Sequence, residues 1–212
     1  MVIWLLLSWA LVFAGLTVRT YYKGPRLLYL IFRPLAMVVL ISLVIEAGKS
    51  APPAYRFAVG AGLVASLVGD FFMMPRRKRF AAGLAAFLAA QLCYAFAFLS
   101  GIRLRFSPVP ALAILAYGAV LFAVLYPGLK RLRIPVLVYI LAISAMALAA
   151  LERYIQAGGP AALAACAGAA LFLCSDTFLA LDRFVRPFRA AQGLILSTYF
   201  AAQAFIALSA CL

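Results

Sequence analysis

Residues 160–184 read PAALAACAGAALFLCSDTFLALDRF, and across positions 160–181 the only charged side chain is that of Asp176. About 20 consecutive apolar residues suffice for a helix to cross the ~30 Å hydrocarbon core of a bilayer, so this segment reads as a membrane span. The reading leaves a carboxylate where a span should carry none. The rest of the chain repeats the pattern. Of its 212 residues 68% are apolar and the mean hydropathy is +1.13, against roughly 45–50% apolar content in soluble domains. Eight transmembrane helices are expected, over residues 2–18, 27–46, 54–74, 80–100, 108–128, 134–151, 160–181 and 191–211, with no soluble domain left over. The fold class is therefore all-α, a polytopic helical bundle in which residues 1–212 form a single transmembrane domain. The first stretch, MVIWLLLSWALVFAGLTV, lacks a basic start and is read as a true span, not a cleavable signal.

The net charge of +14 is explained by topology, and no nucleic-acid partner is expected. Loops one, three, five and seven carry 13 Lys and Arg (Arg19, Lys23, Arg26; Arg76, Arg77, Lys78, Arg79; Lys130, Arg131, Arg133; Arg183, Arg186, Arg189), whereas loops two, four and six carry 5 (Lys49, Arg56; Arg103, Arg105; Arg153). Basic loops stay cytoplasmic, so the odd loops face the cytoplasm and both termini lie on the other side. A multi-pass protein of a bacterial inner membrane is expected. Cys93, Cys166, Cys174 and Cys211 all fall inside expected spans, with no metal or redox spacing.

Two spans end alike. GAGLVASLVGDFFMMPRRKRF and AGAALFLCSDTFLALDRFVRPF each run from small residues to an acid, then aromatics, then a basic loop. Asp70 and Asp176 are 106 positions apart, half the chain, and a tyrosine follows each on the next span, Tyr94 after 24 residues and Tyr199 after 23. The spacing points to a tandem four-helix repeat with halves 1–106 and 107–212 in the same orientation.

The chain holds five acids. Glu46, Glu152 and Asp182 fall at the expected helix ends, where water or headgroups would solvate them. Asp70 and Asp176 lie inside, about 6–8 Å from the cytoplasmic helix ends at 1.5 Å per residue. Ionised acids near the bilayer centre cost roughly 2.5–3.5 kcal/mol, so such residues usually face the bundle interior and mark a function. Arg33 and Tyr139 are expected in the same layer, where the cation could neutralise the acids or snorkel to the headgroups. Gln91 with Tyr94, and Tyr199 with Gln203, share helix faces at i, i+3 and i, i+4 spacing, either as interhelical glue or as the lining of a substrate cavity. The chain has no histidine, which excludes a Ser-His-Asp triad and a His-ligated zinc site. No metal or cofactor is expected. Two buried carboxylates remain, an arrangement that can hold a proton donor beside an ionised partner.

RPLAM (33–37), GDFFM (69–73), FAAGLAAFLAAQLCYAFAF (80–98), VLVYILAISAM (136–146), GAALFLCSDTFLALDRF (168–184) and STYFAAQAFI (197–206) resemble the YhhN-like lysoplasmalogenase family of eight-span proteins. The resemblance covers nearly the whole chain in order. The family usually has Lys where this chain has Arg33, which keeps the charge, and often His where it has Gln91, which cannot titrate. The resemblance implies a hydrolase that cleaves the vinyl ether of 1-alkenyl lysophospholipids to a fatty aldehyde and glycerophosphoethanolamine or glycerophosphocholine, with membrane lipids as its surroundings. Asp70 and Asp176 are the catalytic candidates for such acid-base chemistry. Arg33, Gln91, Tyr94, Tyr139, Tyr199 and Gln203 are the candidates for substrate binding, Arg33 either holding the lipid phosphate or tuning the acids. A proton-coupled lipid or solute transporter is the competing reading of the same intramembrane acids.

Overall fold

The computed structural model describes residues 2–74, 79–103 and 107–212. Arg76, Arg77, Lys78 and Arg105 of the loop count lie outside them. The described residues form eight α-helices and no strand: α1 (Val2–Lys23), α2 (Arg26–Ala47), α3 (Pro53–Met73), α4 (Phe80–Leu99), α5 (Pro108–Leu129), α6 (Arg133–Ala157), α7 (Gly159–Phe184) and α8 (Ala191–Ser209). Seven helical segments are long and apolar enough to cross a membrane, because α5 and α6, parted only by the 3-10 turn Lys130–Leu132, run as one apolar stretch from Pro108 to Ala157.

Local chemistry sets several boundaries. Proline opens α3, α5 and α7, where its missing N–H is no loss and its fixed φ suits the first turn. Between α6 and α7 the backbone passes through left-handed φ at Gly158 (61°) and Gly159 (77°), a region open to glycine at little cost. The helices exceed the expected spans most at α1, which runs to Lys23, and at α6, which runs to Ala157.

Glu152 therefore lies inside α6, not at a solvated end. It is 1% exposed and accepts a short hydrogen bond from the Ser107 N–H at the start of α5. Asp182 likewise lies within α7 and is half-buried, accepting from the Phe188 N–H at 3.2 Å. Only Glu46 among the three keeps an exposed helix-end position.

Large apolar residues such as Trp4, Phe57, Val109 and Ile134 point outward, an exposed apolar surface suited to lipid. The interior is filled by Tyr55, Tyr94, Phe98, Phe172, Met37 and Met146. Gly62 lets α3 and α4 close on each other: a Cβ there would run into the ring of Tyr94.

Candidate functional site

On α2, Arg33 projects inward and is 7% exposed. Its Nε and one terminal nitrogen donate to Asp70 Oδ1 at 3.2 and 2.7 Å, and the other terminal nitrogen donates to the Tyr29 hydroxyl at 2.6 Å. Asp70, fully enclosed on α3, accepts at its second oxygen from Tyr199 of α8 at 2.9 Å. Both carboxylate oxygens are thus engaged, and three of the five guanidinium N–H groups are spent on Asp70 and Tyr29. Desolvated in this way, the ion pair is sound only because each partner is also hydrogen-bonded. Arg33 does not snorkel; the buried Asp70 holds it in the bundle.

Asp176 is placed differently. The expected neutralisation of both acids by one cation is not what the structure shows: among the described residues Arg33 forms its ion pair with Asp70. Asp176 accepts instead from the Tyr139 hydroxyl of α6 at 2.5 Å and from Gln91 Nε2 of α4 at 3.1 Å, and both donors reach the same oxygen, Oδ2. Oδ1 has no hydrogen-bond partner among the described residues and is not sealed off. The one enclosed side-chain polar atom among them without a partner is Gln91 Oε1.

Tyr94 and Gln203 do not reach the acids. The Tyr94 hydroxyl donates to Gln203 Oε1 at 2.7 Å, and Gln203 Nε2 donates to Ser66 Oγ at 3.0 Å. This three-residue network joins α4, α8 and α3 and is wholly enclosed, so for these two residues the structure shows interhelical bonding.

Two cavities meet at Asp176. One, with about 480 Å³ of atom-free space when the open space at its mouth is included, is lined by Arg33, Asp176, Tyr199 and Gln192, together with Ser175 and apolar side chains of α3, α4, α7 and α8. The other, with about 510 Å³ of atom-free space when the open space at its mouth is included, is apolar except for Asp176, Tyr139 and Thr177 and lies among α4, α5, α6 and α7. Counting from helix ends, Asp70 is three residues from Met73 and Asp176 eight from Phe184, so the two lie at different distances from their helix ends. The longer α7 is the reason. Arg33, Tyr199 and Asp176 nevertheless line one space.

Sequence reasoning missed Tyr29, Ser66 and Gln192. Tyr29 lies four residues before Arg33 and Ser66 four before Asp70, so helical spacing carried the signal for both. Nothing local marks Gln192, which enters the site through the packing of α8 against α7.

These features define a polytopic, all-α integral membrane protein with two carboxylates inside its helical bundle, one locked in an ion pair and one facing open space. The chain belongs to the YhhN family, whose family model matches residues 28–210. It is 32% identical over 189 residues to the uncharacterized membrane protein YhhN of Shigella flexneri, covering 89% of each chain. It is 38% identical over 164 residues to lysoplasmalogenase TMEM86A of Bos taurus, covering 75% of this chain and 66% of that one. The human lysoplasmalogenase TMEM86B is 38% identical over 160 residues, 74% of this chain and 64% of its own length. No solved structure matches.

Proposed function

We propose that the chain is a lysoplasmalogenase, a hydrolase that cleaves the vinyl ether bond of 1-alkenyl lysophospholipids within the membrane. The relatives named lysoplasmalogenase support the activity. One observation carries the chemistry: Asp176 takes both of its protein hydrogen bonds on Oδ2 and leaves Oδ1 free beside a cavity. A carboxylic acid in that pose, its carbonyl oxygen fixed by Tyr139 and Gln91, has its O–H aimed at whatever fills the space. Among the described residues no cation forms an ion pair with it, and an unpaired charge away from water is costly, so the mechanism takes Asp176 as the neutral acid.

Asp176 Oδ1 then delivers its proton to the β-carbon of the vinyl ether, and the π electrons form the new C–H bond. The positive charge that results is shared between the α-carbon and the ether oxygen, and the Asp176 carboxylate stabilises it. Water adds to the α-carbon and loses a proton to Asp176, which restores the acid. The hemiacetal collapses to a fatty aldehyde and the glycerol hydroxyl of the headgroup fragment. General acid catalysis of this kind contributes typically 10²–10⁴-fold. Asp70 serves as a positioning residue: through its bonds it fixes Arg33 and Tyr199, two walls of the cavity.

Eight spans, both termini opposite the basic loops in a bacterial inner membrane, and a tandem repeat complete the proposal. In support of the repeat, Arg33 is bonded to Asp70 and Tyr139 to Asp176 at the same sequence separation, 37. The corresponding residues of the two pairs are 106 positions apart.

The test is reconstitution with lysoplasmenylethanolamine and measurement of aldehyde release. Wild type should release aldehyde, and folded Asp176→Asn should lose at least about a hundredfold in turnover. Near-wild-type turnover in Asp176→Asn would sink the mechanism.

A further inference from the structure

We infer that the apolar pocket among α4, α5, α6 and α7 receives the hydrocarbon chain of the lipid, while the cavity on the α2–α8 side of Asp176 receives its glycerol and headgroup. The inference rests on the proposed activity and adds the direction in which the substrate lies and the residues that select its tail.

The two spaces share Met73, Asp176 and Leu179 and otherwise differ in chemistry. In the apolar pocket the non-carboxylate polar groups are already satisfied. The Tyr139 hydroxyl donates to Asp176, and the Thr177 hydroxyl is bonded to the Leu173 carbonyl at 2.7 Å and to the Tyr117 hydroxyl at 2.5 Å. What remains for an occupant is alkyl surface, such as Leu121, Leu125 and Ile140. The opposite cavity contains Arg33, Tyr199 and Gln192, and the Gln192 amide makes no hydrogen bond among the described residues, so it is free for a glycerol hydroxyl or phosphate oxygen.

A 1-alkenyl lysolipid has the same layout. Its vinyl ether is the junction between an alkyl tail and a polar glycerol, and Asp176 is the junction between the two spaces. Seating the tail on one side and the glycerol on the other brings the reacting carbons to Oδ1. The outer wall is α5, of which only Gly118, Leu125 and Leu129 are buried, so the pocket abuts the lipid-facing side of the bundle. Moving a tail from bilayer to pocket changes its hydrophobic environment little, since lipid tails are as apolar as leucine. Selection in this pocket therefore acts through size.

Two measurements test the assignment. A saturated 1-alkyl lysophospholipid with a diazirine at the chain end is crosslinked to the wild-type protein and the labelled residues are identified. Labelling of α5 or α6 around Leu121, Leu125 and Ile140 is expected; labelling instead of the outer α2–α3 groove, around Ile41 and Val64, would overturn the inference. In parallel, Ala180→Leu, which narrows the pocket, should lower kcat/KM for a long alkenyl chain relative to a short one by about tenfold, and Leu121→Ala should shift the ratio the other way. An unchanged ratio in both variants also overturns it. Crosslinking needs no turnover, so a wild type that labels on α5 but releases no aldehyde refutes the activity and leaves the tail site standing.

Discussion

Asp70→Asn should damage the fold far more than Asp176→Asn, although the two acids look equivalent in sequence. Asp70 is fully enclosed, and Arg33 directs two N–H groups to it at 2.7 and 3.2 Å. An asparagine of the same shape leaves a buried guanidinium without its counter-charge. Breaking one partner of a buried pair costs about 3–5 kcal/mol. Each kcal/mol shifts the melting temperature of a chain this long by roughly 2–4 °C, so a drop near 10 °C is expected. Asp176 has neutral donors only, and its asparagine variant should melt within about 3 °C of wild type, the loss of one hydrogen-bond preference. The assay is thermal unfolding in detergent with a thiol-reactive fluorophore, which reads the four free cysteines, including buried Cys211, as they become accessible. Adding Arg33→Met to Asp70→Asn removes the orphaned charge and should recover at least half of the loss. If Asp70→Asn melts with wild type, or if the double variant is worse than the single, the ion pair does not hold these helices as argued.

Arg33→Lys keeps the charge and forfeits the paired geometry and the Tyr29 bond. It should melt between wild type and Asp70→Asn, with aldehyde release within about tenfold of wild type. Tyr139→Arg should place a cation against Asp176, hold it as a carboxylate and abolish aldehyde release, while the variant still purifies as a folded protein by circular dichroism. Gly62→Ala drives a methyl group into the ring of Tyr94, whose hydroxyl is fixed by Gln203; overpacking of this kind costs about 1–3 kcal/mol and should appear as a lower melting temperature.

The helices were legible because hydrocarbon imposes a length and a composition, and α4 and α5 run almost as the hydropathy pattern predicts. The ends were not, since α6 continues through a charged residue, Glu152, that hydropathy places in water. Its partner is a backbone N–H at the start of α5, a neighbour that no pattern along α6 reveals. The candidate site was legible as a set of residues, because acids and an arginine inside apolar helices are rare and expensive. The pairing among them was not. The cost of a charge in hydrocarbon says that Asp70 and Asp176 turn inward, but which acid meets the Arg33 cation depends on how α2, α3 and α7 are rotated against one another. Tyr94 and Gln203 show the same limit: their shared faces were plain, and whether those faces meet each other or an empty space was decided by the approach of α3, α4 and α8.

The difference between the two acids follows from a single exchange at matched positions. Under the proposed repeat, Arg33 and Tyr139 are counterparts, each donating to the acid 37 residues further on. A guanidinium beside Asp70 fixes a carboxylate and ties α2 to α3, with Tyr199 extending the tie to α8. A phenol beside Asp176 orients the carboxyl group without supplying charge, so on the proposed mechanism a proton can stay on it until the electron-rich alkene carbon takes it. Had both halves kept the cation, neither acid would have a proton to give; had both kept the phenol, the bundle would lack its buried ionic tie. The proposed division of tasks between proposed repeat halves also fits the burial: Asp70 is sealed, and Asp176 stands where two cavities join.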